Sequence, residues 1–416
     1  MPGPGGSTFP RMHLPFLERA SRPGNQERTH ALGAFLTLRA VDRIAFHSPV
    51  QGESLAFQLR AAATFLDQLK PQNKDVSHLR EIIRVAQRAT TSGNLNLLWA
   101  PLLALAYWLE GELRLQESID VLETAFRLQS GARIPEEVAA GLQHGRVLRQ
   151  LGCFPEARAS YLAAGQLASE FGDTRSLLIS RIGHAWVAVK TGDLAAAQQE
   201  LHQVLRDAQL QGDLFVEARA AHGLADVLHL AGRTAEGIPL VFRAYGLYEE
   251  PDQRTRSLND LGIFLKELGH YAAAKEAFLL VLEARPSPEL SVKPKLELLE
   301  LSAILHDRVG FARWRRELDN QHDRLPPDEK AEFELKLGMG FAAFDSPREA
   351  LEHLSRALTI AEEFKFGQQV FEAERAIAEI NAGHSASKEA LAPRVATEDS
   401  PVVLQTIESL YALRAG

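Results

Sequence analysis

Between Leu258 and Pro286 the apolar residues fall at spacings of three and four. The stretch LNDLGIFLKELGHYAAAKEAFLLVLEARP sets Leu261, Gly262 and Leu265 on one stripe and Ala274, Phe278 and Val281 on another. A 3.6 period with one apolar face predicts two amphipathic helices, broken at Gly269 and stopped by Pro286, whose ring cannot continue a helix. Gly262 and Ala274 are the residues a close crossing demands, because a larger side chain would hold the helix axes apart. Tyr271 and Phe278 are then expected to fill the wedge that opens beyond the crossing.

The same pattern recurs along the chain. Inter-helix glycines stand at Gly152, Gly192, Gly232 and Gly269, with spacings of 40, 40 and 37 residues. In that frame the first small position is Gly145, Ala185, Ala225 and Gly262, and the second is Ala157, Ala197, Gly237 and Ala274. The large residue after it is Tyr161, Leu201, Val241 and Phe278. A further unit supplies Gly338, Phe341, Ala350, Leu354 and Ala357. The flanking units are weaker: one keeps Ala106 and Ala125 but has Ser118 at the second small position, and the pair from Leu296 to Leu318 has no clear closest-approach residue. Turns between units carry Gly172 and Gly212, suited to a left-handed helix stop.

A recurrence of this kind marks a repeat architecture, and these residues resemble the tetratricopeptide repeat (TPR). The 40-residue spacing is similar to the subtype found in bacterial signal-responsive activators and in peptide-binding adaptors, although no DNA-binding helix-turn-helix or nucleotide-binding loop accompanies it. The resemblance implies an all-α, right-handed superhelical solenoid of antiparallel helix pairs, in which each pair buries its apolar face against its neighbours. It also implies that binding is the activity, in a concave groove lined by the second, fifth, ninth, twelfth and thirteenth repeat positions. Carried onto this sequence, those positions include Arg146, Arg149, Trp186, Lys190, Arg219, His222, Asp226, His229, Arg256, Asn259 and Lys266. Such a groove is basic and would suit an acidic segment, since guanidinium groups match carboxylate oxygens; solvated surface charge is the plainer account of the same residues. A two-carboxylate clamp for a chaperone tail needs paired Asn and Lys residues, and only Asn259 stands in place.

Composition narrows the alternatives. A net charge of −8 argues against general affinity for nucleic acid. A single cysteine, Cys153, excludes a disulfide framework and a multi-cysteine metal site. No apolar run is long enough to span a membrane, and the opening MPGPGGSTFPRMHLPFLERASRPGNQ lacks the apolar core of a secretory signal, so a cytoplasmic protein is expected. His222, Asp226 and His229 fall at i, i+4 and i+7, within reach of one cation, but without a fourth ligand a polar groove patch is the simpler reading and no metal is expected. No GxSxG, HExxH or strand-led GxGxxG occurs, so neither catalytic residues nor a cofactor are expected.

The expected organisation is a flexible tail over 1–28, capping helices over 29–98, and a TPR solenoid over 99–368 with a degenerate pair near 293–330. A capping helix over 369–384, a linker over 385–400 and an amphipathic helix over 401–416 with Val403, Ile407, Leu410 and Leu413 as its stripe complete it. The function expected is a non-enzymatic scaffold or adaptor for another protein or a peptide, with a ligand-sensing regulatory module as the alternative.

Overall fold

A computed structural model describes residues 12–22, 24–46, 52–69, 74–128, 135–322, 325–382 and 400–415. The chain forms two compact units, 1–200 and 201–416. Unit 1 opens with α1 (Leu14–Ala20), α2 (Asn25–Ala45), α3 (Gly52–Asp67) and α4 (Lys74–Ser92), followed by a 3-10 turn at Leu95–Leu98. Helix pairs then begin: α5 (Trp99–Gly111) with α6 (Leu115–Phe126), and α7 (Pro135–Gln150) with α8 (Phe154–Glu170), before α9 (Thr174–Lys190). The division between units falls inside α10 (Leu194–Gln211). Unit 2 holds α11 (Leu214–Leu230), α12 (Thr234–Leu247), α13 (Pro251–Glu267), α14 (Tyr271–Glu283), α15 (Pro288–Ile304), α16 (Arg308–Asp319), α17 (Pro327–Ala343), α18 (Pro347–Phe364), α19 (Gly367–Asn381) and α20 (Pro401–Ala415). Among the described residues there is no strand. The fold is therefore all-α and built from TPR-like antiparallel pairs, as the apolar periodicity predicts.

The small residues act where the repeat frame puts them. At Gly237 an added methyl would lie 2.9 Å from the carbonyl oxygen of Ala225, so these two small positions do mark a backbone-to-backbone crossing. The first small position has a second task, which is to receive the large residue of the partner helix. A methyl on Gly262 would lie 2.5 Å from the Phe278 ring, and one on Gly338 would lie 2.5 Å from Leu354. Tyr161 is held from both sides: a methyl on Gly145 of α7 would come within 3.0 Å of its ring, and one on Gly183 of α9 within 2.2 Å. The turn glycines Gly192 and Gly232 adopt φ of 85° and 73°, left-handed values that an L side chain rarely tolerates. In the weaker units Leu113 and His306 take the corresponding turns, with φ of 57° and 53°, so the left-handed turn is kept there without a glycine.

Those weaker units keep their pairing by other means. Ser118 is fully buried and donates its hydroxyl to the carbonyl of Ala106 at 2.9 Å, so its polar atom is satisfied at the crossing itself. In the pair α15–α16, Phe311 stands at the second small position, and Gly340 on α17 makes room for it: a methyl there would lie 2.2 Å from the ring. Large and small have exchanged helices.

The two ends of the chain are helical where they are described. Residues 12–22 lie within the segment expected to be a tail, yet they form α1, with Phe16 and Ala20 buried one turn apart against α2 and α6. A polar anchor holds it: the imidazole of His13 sits between Asp120 at 2.7 Å and Asp42 at 2.9 Å. Helix α20 folds back on the second helices α12 and α14, burying Val403 and Leu410 and pairing Arg414 with Glu276. The linker over 385–400 lies outside the described residues except for Ser400. No described helix is long and apolar enough to cross a membrane.

Candidate ligand-binding face

The residues expected to line a groove fall on the first helices of their pairs, and the two units present them separately. In unit 1, Arg146 donates from Nε and Nη2 to the two carboxylate oxygens of Glu110, both at 2.6 Å, and lies 5.4 Å from the Tyr107 ring. Burial works against its charge, but the Glu110 carboxylate outweighs that and raises its pKa. Arg149 is half-buried, and its Nε meets no acceptor among the described residues. Trp186 is half-buried on α9, and Lys190 is exposed at its end.

In unit 2 the seven remaining residues separate into distinct settings. Arg219 on α11 stacks over Phe215 at 5.6 Å, and Arg256 on α13 is exposed. Asn259 is buried, and its Oδ1 meets no donor among the described residues. His229 does not join His222 and Asp226: it turns to Glu267 at 2.9 Å and stacks on Phe264 with ring centroids 4.5 Å apart. His222 instead meets a residue that the sequence reading passed over, Asp260 of α13, with Nε2 2.9 Å from Oδ2. Lys266 is taken up by Glu297 and Glu300 of α15.

That last contact opens an alternating array. Lys336 of α17 reaches Glu297 at 2.9 Å and Glu300 at 2.6 Å, while Lys293 reaches Glu332 at 2.7 Å. Burial alone would raise the Glu297 carboxyl, yet the three lysines around it hold it well below the usual range. Burial likewise works against Lys336, and its glutamates raise its pKa well above the ordinary value. The face therefore alternates in sign where a basic groove is expected from sequence: Glu297 stands at the sixth position, outside the groove set, and Glu300 and Glu332 stand on α15 and α17, whose groove residues are not among those carried over.

A cavity of about 640 Å³ lies on this face, against α15, α17 and α19. Ala303, Leu335, Met339 and Phe366 give it an apolar floor, and Gln368, Gln369 and Arg375 join the lysine–glutamate array around it. In the repeat frame Lys293, Glu300, Ala303, Glu332, Leu335 and Met339 occupy the second, fifth, ninth and twelfth positions, so the cavity continues the register expected for the groove. A larger cavity in unit 1, about 890 Å³, is crossed by a self-compensated network: Arg19 binds Glu117 at 3.0 Å, and Arg114 bridges Glu117 and Asp75. Burial would raise Asp75, but His30 and Arg114 hold it far below the ordinary carboxylate range. Those groups hold the helices of unit 1 together and offer little to a ligand.

Comparison with known proteins agrees at the level of fold. No protein-family profile matches the sequence, and no curated protein matches it. Among solved structures, the chain is similar to the apo form of the quorum sensor NprR from B. thuringiensis, with a TM-score of 0.57 at 12% identity over 87% of this chain and 99% of that one. It is similar to the Rap conjugation gene regulator of plasmid pLS20 in complex with the Phr* peptide, with a TM-score of 0.50 at 15% identity over 82% and 97% of the two chains. Aspartyl phosphate phosphatase F from Bacillus subtilis gives a TM-score of 0.50 at 10% identity, over 82% of this chain and 95% of that one. At these identities the likeness is one of fold, and that fold is a TPR-like helical repeat.

Proposed function

We propose that this chain is a non-enzymatic regulatory scaffold that holds a peptide, or an extended segment of another protein, along the first helices of unit 2. The observation that carries this reading is the cavity on α15, α17 and α19. Its apolar floor accepts side chains, and the amides of Gln368 and Gln369, each giving one N–H within the chain to Glu372 or to the Asp328 carbonyl, keep a second N–H and the carbonyl oxygen for an extended backbone. The solved Rap regulator is itself a complex with a peptide, which supports the same use of this fold. Because the lysines here are already paired, a segment of mixed charge fits the face better than the acidic one that a basic groove would suit.

The reading is tested by purifying the full chain from its host, extracting bound peptides in acid, and titrating the synthetic peptide back. Expected is one-to-one binding that Gln368→Ala with Gln369→Ala weakens by about tenfold or more. Full affinity in that double variant, with Met339→Arg equally harmless, would remove the cavity from consideration.

A further inference from the structure

His222, Asp226 and Asp260 form a cluster that the peptide-binding reading does not use. His222 and Asp226 stand one turn apart on α11, and Asp260 reaches them from α13. One ligand atom from each lies within 4.8 Å of the others. The imidazole is already oriented: Nδ1 lies 3.2 Å from the Tyr248 hydroxyl, and the two rings pack edge to face at 5.8 Å. This leaves Nε2 facing the two carboxylates, the arrangement by which a hydrogen bond to one ring nitrogen presents the other to a metal.

A His–Asp pair alone would not need Asp226. Among the described residues no hydrogen-bond donor is placed on its carboxylate, and it is packed beside the carboxylate of Asp260. Among the described residues Asp226 thus has two charged neighbours, His222 and Asp260, and no hydrogen-bond donor on its carboxylate.

We propose that His222, Asp226 and Asp260 bind a divalent transition-metal cation, with His222 Nε2 and one oxygen of each aspartate as ligands. An imidazole with two carboxylates suits zinc and its first-row neighbours and suits magnesium poorly. Tetrahedral coordination at about 2.1 Å requires ligand atoms roughly 3.4 Å apart, so a pair at the 4.8 Å limit closes by about 1.4 Å, within reach of rotation of the two partly buried aspartates. Three protein ligands leave a fourth position for water or an incoming oxygen or nitrogen donor.

The test uses the full chain, stripped with chelator and titrated with zinc chloride by calorimetry, with cobalt(II) absorption as a second readout of coordination. One equivalent should bind, and magnesium should not compete. Asp226→Asn and Asp260→Asn should each weaken zinc by about thirtyfold or more and abolish the cobalt spectrum, while Tyr248→Phe should cost about tenfold. His229→Gln should bind as the parent does. Asp226→Asn removes one of two adjacent like charges, so its thermal midpoint should equal or exceed that of the parent, which separates lost ligation from lost folding. Absence of a one-equivalent site, or unchanged affinity in both asparagine variants, overturns the proposal; so does equal loss in His229→Gln.

Discussion

His13 and Asp120, 107 residues apart, are joined twice: the backbone amide of His13 donates to Asp120 Oδ1 at 3.0 Å, and its ring Nδ1 lies 2.7 Å from Oδ2. The contact fixes the start of α1 to α6. Asp42, itself bound by Arg127 at 2.8 Å, meets the other ring nitrogen.

This pair makes the docking of α1 sensitive to pH. Burial disfavours the imidazolium, but the hydrogen bonds to Asp120 and Asp42 outweigh it, so the folded pKa of His13 is raised above 6.5. A raised folded pKa means that the stabilisation is complete below the unfolded value and is lost as pH rises through the folded one. Asp120→Asn should cost about 2 kcal/mol at pH 6 and progressively less in alkali. Thermal midpoints of parent and variant across pH 6 to about 9 check this; a constant gap would show that His13 does not titrate in that range.

Replacing Gly183 by alanine drives a methyl into the Tyr161 ring. The expected cost is about 1–3 kcal/mol, and Tyr161→Leu in the same chain should recover part of it. Gly246, near the end of α12, has nothing within 4 Å of such a methyl, and Gly246→Ala should gain up to about 0.5–1 kcal/mol. Denaturant midpoints of the three variants decide the matter.

Glu297 is only 3% exposed and answers three lysines. Glu297→Gln leaves their charge to Glu300 and Glu332, so a loss of about 3 kcal/mol is expected. Because its folded pKa is depressed, the stabilisation is present above about pH 4.5 and is lost as pH falls toward the folded value. The parent should therefore approach the variant in acid, as followed by circular dichroism.

Ending the chain at residue 382 removes α20 and uncovers the apolar strip on α12 and α14 that Val403 and Leu410 fill. Two such side chains are worth about 3 kcal/mol or more. The shortened chain should melt earlier and self-associate at concentrations where the full chain does not, as read by light scattering. Arg414→Ala should do far less, since exposed pairs contribute about 0–1 kcal/mol.

Much of this architecture was legible from residue spacing, because a helix crossing admits few residue types. Gly237 over Ala225 and Gly262 under Phe278 are consequences of backbone distance, and distance leaves a mark on sequence. Phe311 was not legible, since its complement, Gly340, stands on the next first helix. The site was less legible for the same reason. Asp260, Glu297 and Lys336 all occupy the sixth repeat position, which points along the row of first helices, and the groove positions considered from sequence omit it. A charged residue at the sixth position of one repeat, set against a polar one at the fifth of the repeat before, was the available signal for His222 and Asp260. No comparable signal announces His13, whose partners are fixed only once α1 has docked.

The seating of Tyr161 between Gly145 and Gly183 bears on how such a chain can change length. Repeat arrays grow and shrink by unequal exchange of whole modules, and each junction so created must fit at once. Here the aromatic residue of one module is housed partly by a glycine of the next, so the boundary of the sequence repeat does not coincide with the boundary in the packing. A segment transplanted to follow α8 must bring its own vacancy at the place of Gly183, or Tyr161 has nowhere to go. Phe311 and Gly340 impose the same condition farther along. Deletions and duplications compatible with folding are thereby confined to cuts that carry the aromatic residue and its distant glycine together.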